Sequence, residues 1–513
     1  MHWADVIARD ILEKDKHPLI ATGISPTGII HVGSLREAIT GEAIRSAIKD
    51  LGGDVRLIYL IDSLDPLRKR YPFLPEEYEN YVGMPICQIP CPCGKHDNYA
   101  HHFVQPFLDA LKSLRVDCEI IWTHQLYAEG KFAPMIDLAL RKRPQVIKIL
   151  KEVTGRDLND DFSPYNPLCK SCGRFVQPLL DTYEYPHIGY SCKCGYSGTA
   201  DITKMDGKLV WRLEWPAKWK IFGTSVEPFG KDHAAAGGSY DSGKRIVEEI
   251  FDGKAPYPVP YEFVQLKGVG QIHKSTGSPV TGMDAINMTP PEVLNYLFLR
   301  VNPQKAIDYD SGLGVLDMAD EYDRMERLFF EGGCTECEEN SVRAYSISQH
   351  NVVPEDIPPQ IPYRHLMNVV QMTDCFEGVM EILGRTENLK DLSEEETQRL
   401  RKRVECVKFW LDSFAPEDVK FSVSDGVGPE DLNPEEKKYL ELLSDALETA
   451  EWTSDPISNA VVEKAKEAGI STKKGFQTLY RVLIGRTSGP RLGAFLADMD
   501  KEKVLERFRS VSL

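Results

Sequence analysis

Two rhythms of apolar and polar positions organise the first quarter of the chain. Residues 18–25 ("PLIATGIS") and 54–62 ("DVRLIYLID") are short apolar runs of the kind that form buried strands. Between them Val32, Leu35, Ile39, Ala43, Ile44, Ala47, Ile48 and Leu51 recur at helical spacing, and Gly52 and Gly53 stop the helix. Strand, helix and strand in this order predict a βαβ unit, hence a parallel sheet. After Pro85 the pattern breaks into Cys/His-rich segments with a helical stretch between them. It resumes at residues 208–223 ("KLVWRLEWPAKWKIFG"), continues through the helical "GSYDSGKRIVEEIF", and reaches another apolar run at residues 261–266, "YEFVQL". One sheet split by an insertion is more economical than two consecutive domains. Past about residue 286 the chain reads as helical. Leu366, Val369, Val370, Thr373, Phe376, Val379, Met380 and Leu383 predict one amphipathic face. Ser393 with Glu396, and Asn433 followed by Pro434, predict two helix starts.

Composition narrows the classes. At 513 residues the chain exceeds a single core, and about three or four domains are expected. It has no apolar run of membrane-spanning length. Its first residues lack the zones of a secretion signal, so a cytoplasmic protein is expected. The net charge of −17 argues against indiscriminate polyanion binding and leaves RNA to a local basic face. Residues 473–491 offer one, with five basic residues and no acid around Phe476 and Tyr480. Eight of the twelve cysteines lie between Cys87 and Cys194, which points to metal sites or buried thiols rather than disulfides.

Chemistry concentrates in a few stretches. In "ISPTGIIHVGSLREA" (residues 24–38), Pro26, Gly28 and Gly33 let backbone approach a ligand. His31 and Ser34 add donors at the start of a helix. The stretch reads either as a phosphate cradle or as a plain strand-to-helix turn. "KGVGQIHKSTGS" (residues 267–278) carries Lys274, Ser275 and Thr276 among glycines, a loop suited to a polyphosphate or to solvent. "GKDHAAAGGSYDSGK" holds Asp232, His233, Gly238 and Asp241. It reads as a ligand crevice or as a glycine turn with a capping Asp. Cys169 and Cys172, then nineteen residues, then Cys192 and Cys194 resemble a zinc ribbon. Cys91, Cys93, His96 and either His101 or His102 offer a second site. Cys334 and Cys337 have half of such a pattern without a partner pair.

"HVGS" and "QIHKS" resemble the His-Ile-Gly-His and Lys-Met-Ser-Lys-Ser signatures of class I aminoacyl-tRNA synthetases. With "HWADVIARDI", "IDSLDPLRK", "WRLEWPAKW" and "GKDHAAAGGSYDSGK", the resemblance is closest to the archaeal-type class I lysyl-tRNA synthetases. The tail "LYRVLIGRTSGPRLGAFLADM" resembles their anticodon-binding domain. The second signature has Gln271 and His273 where the pattern has Lys and Ser, so Lys274 must supply its cation.

The resemblance implies an α/β protein. Its Rossmann-like catalytic domain would span residues 1–85 and 208–286 around a zinc-bearing insertion at 86–207. A linking region at 287–345 and an all-helical anticodon-binding domain at 346–513 would follow. It implies ATP and Mg2+, two structural Zn2+ ions, lysine and its tRNA as partners, a monomer, and neither membrane nor DNA binding. His31, Ser34, Lys274 and Ser275 would be catalytic. Pro26, Gly28, Gly33, Asp232, His233, Gly238 and Asp241 would hold the nucleotide. Gly23, Ser25, Asp62, Asp65, Trp211 and Trp215 would contact lysine, the two aspartates meeting its side-chain ammonium. Matched residue by residue, the family's knuckle gives Cys91, Cys93, His96 and His102 as ligands beside the four ribbon cysteines. Two other readings compete: a paralogue that adenylates another amino acid or charges a different acceptor, and a non-catalytic zinc-ribbon protein that binds tRNA.

Overall fold

The computed structural model describes residues 1–513 apart from 156, 268–269, 272–279, 374, 388, 390, 424–425 and 513. The chain forms two compact units. The first comprises Met1–Ile286, Pro291–Tyr309 and Glu331–Val353; the second comprises Asn287–Pro290, Asp310–Phe330 and Pro354–Leu513. The stretch expected to link two domains, 287–345, is divided between them.

A five-stranded parallel sheet organises the first unit. Strands β1 (Leu19–Ile24), β2 (Arg56–Ile61), β3 (Glu119–Trp122), β4 (Val226–Gly230) and β5 (Tyr257–Tyr261) lie in the order β5-β4-β1-β2-β3. The central pair runs from Leu19 opposite Arg56 to Ile24 opposite Ile61. Helix α1 (Leu35–Asp50) crosses between them and buries Leu35, Ile39, Ala43, Ile44, Ala47 and Ile48, as the periodicity predicts. Gly41 allows its close approach to the sheet, since a β-carbon there would lie 3.1 Å from the Thr22 methyl and 3.2 Å from Leu57. Gly52, with φ +76°, takes the left-handed conformation that ends the helix.

Two strands differ from expectation. "YEFVQL" is not one strand: the sheet strand is the earlier "YPVPY" of β5, while Val264–Leu266 pairs with Ile307–Tyr309 in a separate small sheet. Pro258 and Pro260 concealed β5, and they are tolerated because it lies at the sheet edge. The expected insertion is also interrupted. Helix α2 (Tyr99–Ser113) and β3 belong to the main sheet layer, and β3 is only four residues long. The cysteine-rich ribbon follows. Its strands Pro178–Glu184, His187–Ser191 and Ser197–Asp201 form an antiparallel sheet, and Tyr165–Pro167 pairs antiparallel with Gly207–Leu209. Cys169, Ile188 and Tyr190 of the ribbon share one core with Leu19, Ala21, Ile58 and Leu60 of the sheet. The ribbon is thus part of the sheet's own core and not a free appendage.

The second unit is helical. Both expected helix starts are capping boxes, Ser393 with Glu396 and Asn433 with Glu436. The single face expected from Leu366 to Leu383 is two helices, Tyr363–Val369 and Phe376–Thr386. Cys375 is exposed and caps the second through its sulfur, accepting from the Gly378 N–H at 3.4 Å. Among the described residues no helix is long and apolar enough to cross a membrane.

His365 ties this unit together, with Nδ1 2.7 Å from Glu387 and Nε2 2.8 Å from Asp498. Burial works to lower its pKa, but Asp498 and Glu387 more than reverse this and lift it to about 9. A histidine pKa raised by folding adds stability below its unfolded value, about 6.5, and loses it as pH rises through the folded value. Unfolding of this unit followed by calorimetry should therefore lose up to about 3 kcal/mol between pH 6.5 and 9.5. The His365→Gln variant should show a flat profile across that window.

Candidate active site

In this sheet the strand order reverses between β1 and β4, and ligands of open α/β sheets bind beyond the carboxyl ends of the strands at such a point. The chain exits β1 through Ser25 to Ser34 and exits β4 through Lys231 to Asp241, so both motif stretches open onto this crevice. His31 leads into a single 3-10 turn, Val32–Ser34, before α1 begins at Leu35. A β-carbon on Gly33 would lie 3.0 Å from the His31 ring, so the turn packs closely on the imidazole and a side chain there would push the ring aside.

Lys274 and Ser275 lie outside the described residues. The segments on either side of their loop are described, and both reach the first signature. The Val32 N–H donates to the Val280 carbonyl at 2.9 Å, and His31 forms a β-bridge with Thr281. On the other side, Val264 lies 3.5 Å from where a Gly33 β-carbon would sit. Two stretches far apart in sequence thus meet at the sheet's switch point.

Glu37, in the first turn of α1, is a site residue the sequence reading missed. Its carboxylate accepts the Gly23 N–H at 2.7 Å through Oε1 and the Tyr261 hydroxyl at 2.7 Å through Oε2. Gly23 has no room for a side chain, since a β-carbon would lie 2.8 Å from the Leu60 carbonyl oxygen. Its backbone is thereby held against the crevice with the amide aimed at Glu37. "REA" at a helix start reads as an ordinary dipole-complementing acid; only the partners from β1 and β5 single it out.

Asp62 and Asp65, expected to meet a substrate ammonium, are committed elsewhere. Both are tucked in at the end of β2. Lys218 is ion-paired to Asp62, and Lys208 lies 3.1 Å from Asp65 and also pairs with Glu214. The Lys218 ammonium also lies 4.0 Å from Glu214. The Ser25 hydroxyl donates to Asp65 at 2.6 Å, and Tyr127 donates to Glu214 at 3.0 Å. Three carboxylates and two ammonium groups therefore form one buried network. Burial pushes the Asp62 carboxyl up to about 6 against the pull of Lys218, which still leaves it ionised at neutral pH. Burial also works against the Asp65 charge, but Lys208 and the Ser25 hydrogen bond outweigh it and hold that carboxyl below the usual range. These aspartates orient the crevice through Ser25 and through helix α3 (Trp211–Phe222), which carries Glu214 and Lys218.

The first turns of α3 supply an aromatic wall. Trp211 stacks on Trp215 with centroids 5.6 Å apart and planes 12° apart. Trp211 is 38% exposed and Trp215 only 4%, so Trp211 faces the crevice while Trp215 is core. The indole N–H groups of Trp215 and Trp219 both donate to the buried Glu227 of β4, the former at 2.6 Å. Burial drives the Glu227 carboxyl up to about 8, against those two donors. His233 packs 5.4 Å from Trp215, and burial lowers its pKa. Helix α4 (Ser239–Glu249) follows the glycine pair. Asp241 accepts the Gly237 N–H at 3.1 Å, serving this turn, and Asp232 is exposed. Gly238 folds against the His233 and Ala235 carbonyls, which leaves no space for a β-carbon.

Two metal-ligand clusters assemble. Cys91, Cys93, His96 and His102 form one, and Cys169, Cys172, Cys192 and Cys194 the other, with ligand atoms within 4.8 Å of one another in each. In the first, both histidines turn Nδ1 toward the sulfurs at 3.3–3.6 Å. His101 instead faces Asp97 at 3.3 Å and packs at a tilt against Trp122, which leaves His102 to face the cysteines. In the second, Sγ pairs are separated by 3.7 and 3.6 Å. Tetrahedral zinc with sulfur at about 2.3 Å requires sulfur edges of about 3.8 Å, so the donor set and its spacing fit that ion. Gly173 and Gly195, with φ +67° and +90°, close the two cysteine turns of the ribbon. Cys334 and Cys337 are exposed and join no such cluster among the described residues.

The basic stretch at 473–491 is partly turned inward. Lys474 and Arg481 both pair with Glu436, at 2.8 and 3.0 Å, and the buried Tyr480 bonds the Pro490 carbonyl. That segment is in large part structural.

Residues 1–351 match the family model described as tRNA synthetases class I (K), and residues 410–511 match an anticodon binding domain. The chain is 42% identical to a lysine–tRNA ligase of Archaeoglobus fulgidus, over 99% of this chain and 100% of that one. It is 39% identical to lysine–tRNA ligase 1 of Methanosarcina acetivorans, over 100% of this chain and 98% of that one.

Proposed function

The chain belongs to the class I tRNA synthetases of the lysine type and is an aminoacyl-tRNA synthetase; from that premise we propose that it is a lysine–tRNA ligase in which Glu37 receives an ammonium group of lysine. The carboxylate at the switch point, oriented by Gly23 and Tyr261, carries this reading. A crevice that takes a cationic amino acid needs a carboxylate within reach of solvent, and Glu37 is half-buried whereas Asp62 is buried and ion-paired. Trp211 flanks the aliphatic stem, and Gly23 and Ser25 contact the amino acid backbone.

The lysine carboxylate attacks the α-phosphorus of ATP, the bond to the β-phosphate oxygen breaks, and pyrophosphate leaves with both electrons. A 3′-terminal ribose hydroxyl of the tRNA then attacks the lysyl carbonyl, loses its proton, and expels AMP. Little covalent work falls to the protein, so alignment and charge stabilisation dominate. His31, Ser34 and the amino end of α1 hold phosphate oxygens and Gly33 lets them approach, whereas the expected Pro26 and Gly28 are buried, Gly28 against the Phe73 and Tyr71 rings, and shape the turn instead. Asp232, His233, Gly238 and Asp241 surround the adenosine. Lys274 and Ser275 meet the pyrophosphate as its charge grows. Magnesium would accompany the nucleotide and neutralise its phosphates. Zinc in the two clusters would stabilise the fold. The reading keeps a cytoplasmic monomer as its expectation.

Lysine-dependent ATP–pyrophosphate exchange, followed by charging of purified tRNA, tests the activity. Exchange that requires a different amino acid would instead support the paralogue reading, which Gln271 and His273 motivate. Lys274→Ala should slow lysine-dependent exchange more than about tenfold with an unchanged unfolding midpoint. Equal exchange in the two proteins would remove Lys274 from the mechanism.

A further inference from the structure

Residues 66–74, "PLRKRYPFL", follow the end of β2 and reach the turn at Gly28. In a chain of net charge −17 they place Arg68, Lys69 and Arg70 consecutively on the surface. Arg70 is tied to the Leu74 carbonyl at 3.0 Å and faces Glu79 at 3.7 Å. Arg68 and Lys69 stay exposed, with the Lys69 ammonium 5.7 Å from the Tyr71 ring centroid.

The two aromatics that follow form a shelf. Tyr71 and Phe73 stack at 5.4 Å with planes 3° apart. Phe73 is 38% exposed. The shelf borders the crevice directly, because a β-carbon on Gly28 would lie 3.4 Å from Phe73 and 3.6 Å from Tyr71. Phe73 also packs 5.6 Å from Phe103 of α2, beside the metal-ligating His102. The Tyr99 hydroxyl donates to the Thr27 carbonyl at 2.8 Å and holds α2 to the same turn.

Two exposed cations beside an exposed, rigid aromatic face match single-stranded nucleic acid, whose phosphates seek charge and whose bases stack without regard to sequence. We propose that Arg68, Lys69 and Phe73 dock the unpaired 3′ end of the tRNA and lead it across the Gly28 turn to the adenylate. The inference rests on the lysine–tRNA ligase reading and names the surface by which the second substrate enters. The first metal cluster then gains a purpose, since it holds the helix against which the shelf leans.

The test compares the full chain with Phe73→Ala and with the double variant Arg68→Ala, Lys69→Ala. Lysine-dependent pyrophosphate exchange should stay within about twofold, while kcat/KM for charging tRNA falls about tenfold or more in each. Binding is measured in parallel with intact tRNA and with tRNA lacking its last four nucleotides. The unmodified protein should prefer the intact tRNA, and Phe73→Ala should lose that preference. The double variant should lower the slope of log affinity against log salt by about 1.4, from about 0.7 per phosphate contact on a single strand. Unchanged charging, or exchange and charging falling together, overturns the proposal, as does equal binding of both tRNAs by the unmodified protein. No lysine-dependent exchange in the unmodified protein, with its preference for intact tRNA retained, would instead overturn the ligase reading and leave the docking surface standing.

Discussion

Replacing Cys169 and Cys192 together with serine removes one zinc ion per chain and lowers the unfolding midpoint of the first unit by about 10 °C. The four sulfurs close a cage from two turns that no other covalent link joins, and structural zinc at such a site has an apparent binding free energy of about 10–16 kcal/mol in isolated fingers. Only part of this reaches the whole unit, because the ribbon can open locally once its metal is lost. A share of about 5 kcal/mol, at about 2 °C per kcal/mol in a unit of this size, gives the stated shift. The damage should spread to activity. Cys169 lies in the core shared with Leu19 and Ile58, and Gly207–Leu209, which carries Lys208 to Asp65, pairs with the strand just before Cys169. Metal content, calorimetry and lysine-dependent exchange measure the three consequences. Cys334→Ser with Cys337→Ser is the control and should change none of them. A double variant at 169 and 192 that retains its metal complement and its midpoint would show that the cluster binds no structural ion.

Glu37→Gln should reduce kcat/KM for lysine by about 30-fold to several thousand-fold, equivalent to about 2–5 kcal/mol for removing one partner of a hydrogen-bonded charge pair. Glutamine keeps the shape and an oxygen for the Gly23 N–H but removes the charge, so the KM for ATP should hold. Tyr261→Phe removes one hydrogen bond to the carboxylate and should cost about ten- to a hundredfold. Asp62→Asn offers the contrast. Its partner Lys218 is buried, and the loss should appear as instability and not as a selective rise in the KM for lysine. A lysine KM equal to that of the parent in Glu37→Gln would end the assignment of Glu37.

The parts of this fold legible in the sequence were those whose signal is local. The helical repeat of α1, the apolar runs of β1 and β2 and the two capping boxes are written within a few residues, and all formed as read. The ribbon cluster followed from ligand type and spacing, because tight turns set its geometry. In the first cluster spacing left His101 and His102 open, and the choice of His102 came from the family resemblance. Illegible features depended on distant partners. Asp62 looked like a substrate ligand because its cation, Lys218, lies 156 positions away. Glu37 looked like a helix-end acid because Tyr261 is a strand at the far edge of the sheet. The prolines of β5 hid a strand that only its edge position permits. The basic stretch at 473–491 is local in sequence, yet Glu436, outside it, decides where its side chains turn.

The buried network of Asp62, Asp65, Glu214, Lys208 and Lys218 also constrains how this lineage can diverge. Removing either lysine leaves buried carboxylates short of a counter-charge, and removing Asp62 takes the nearest partner from Lys218, so drift at these positions requires compensating changes in concert. Altered amino acid selectivity is therefore more accessible through the outer contacts at Glu37, Tyr261 and Trp211, which can be exchanged one at a time above the buried ionic network.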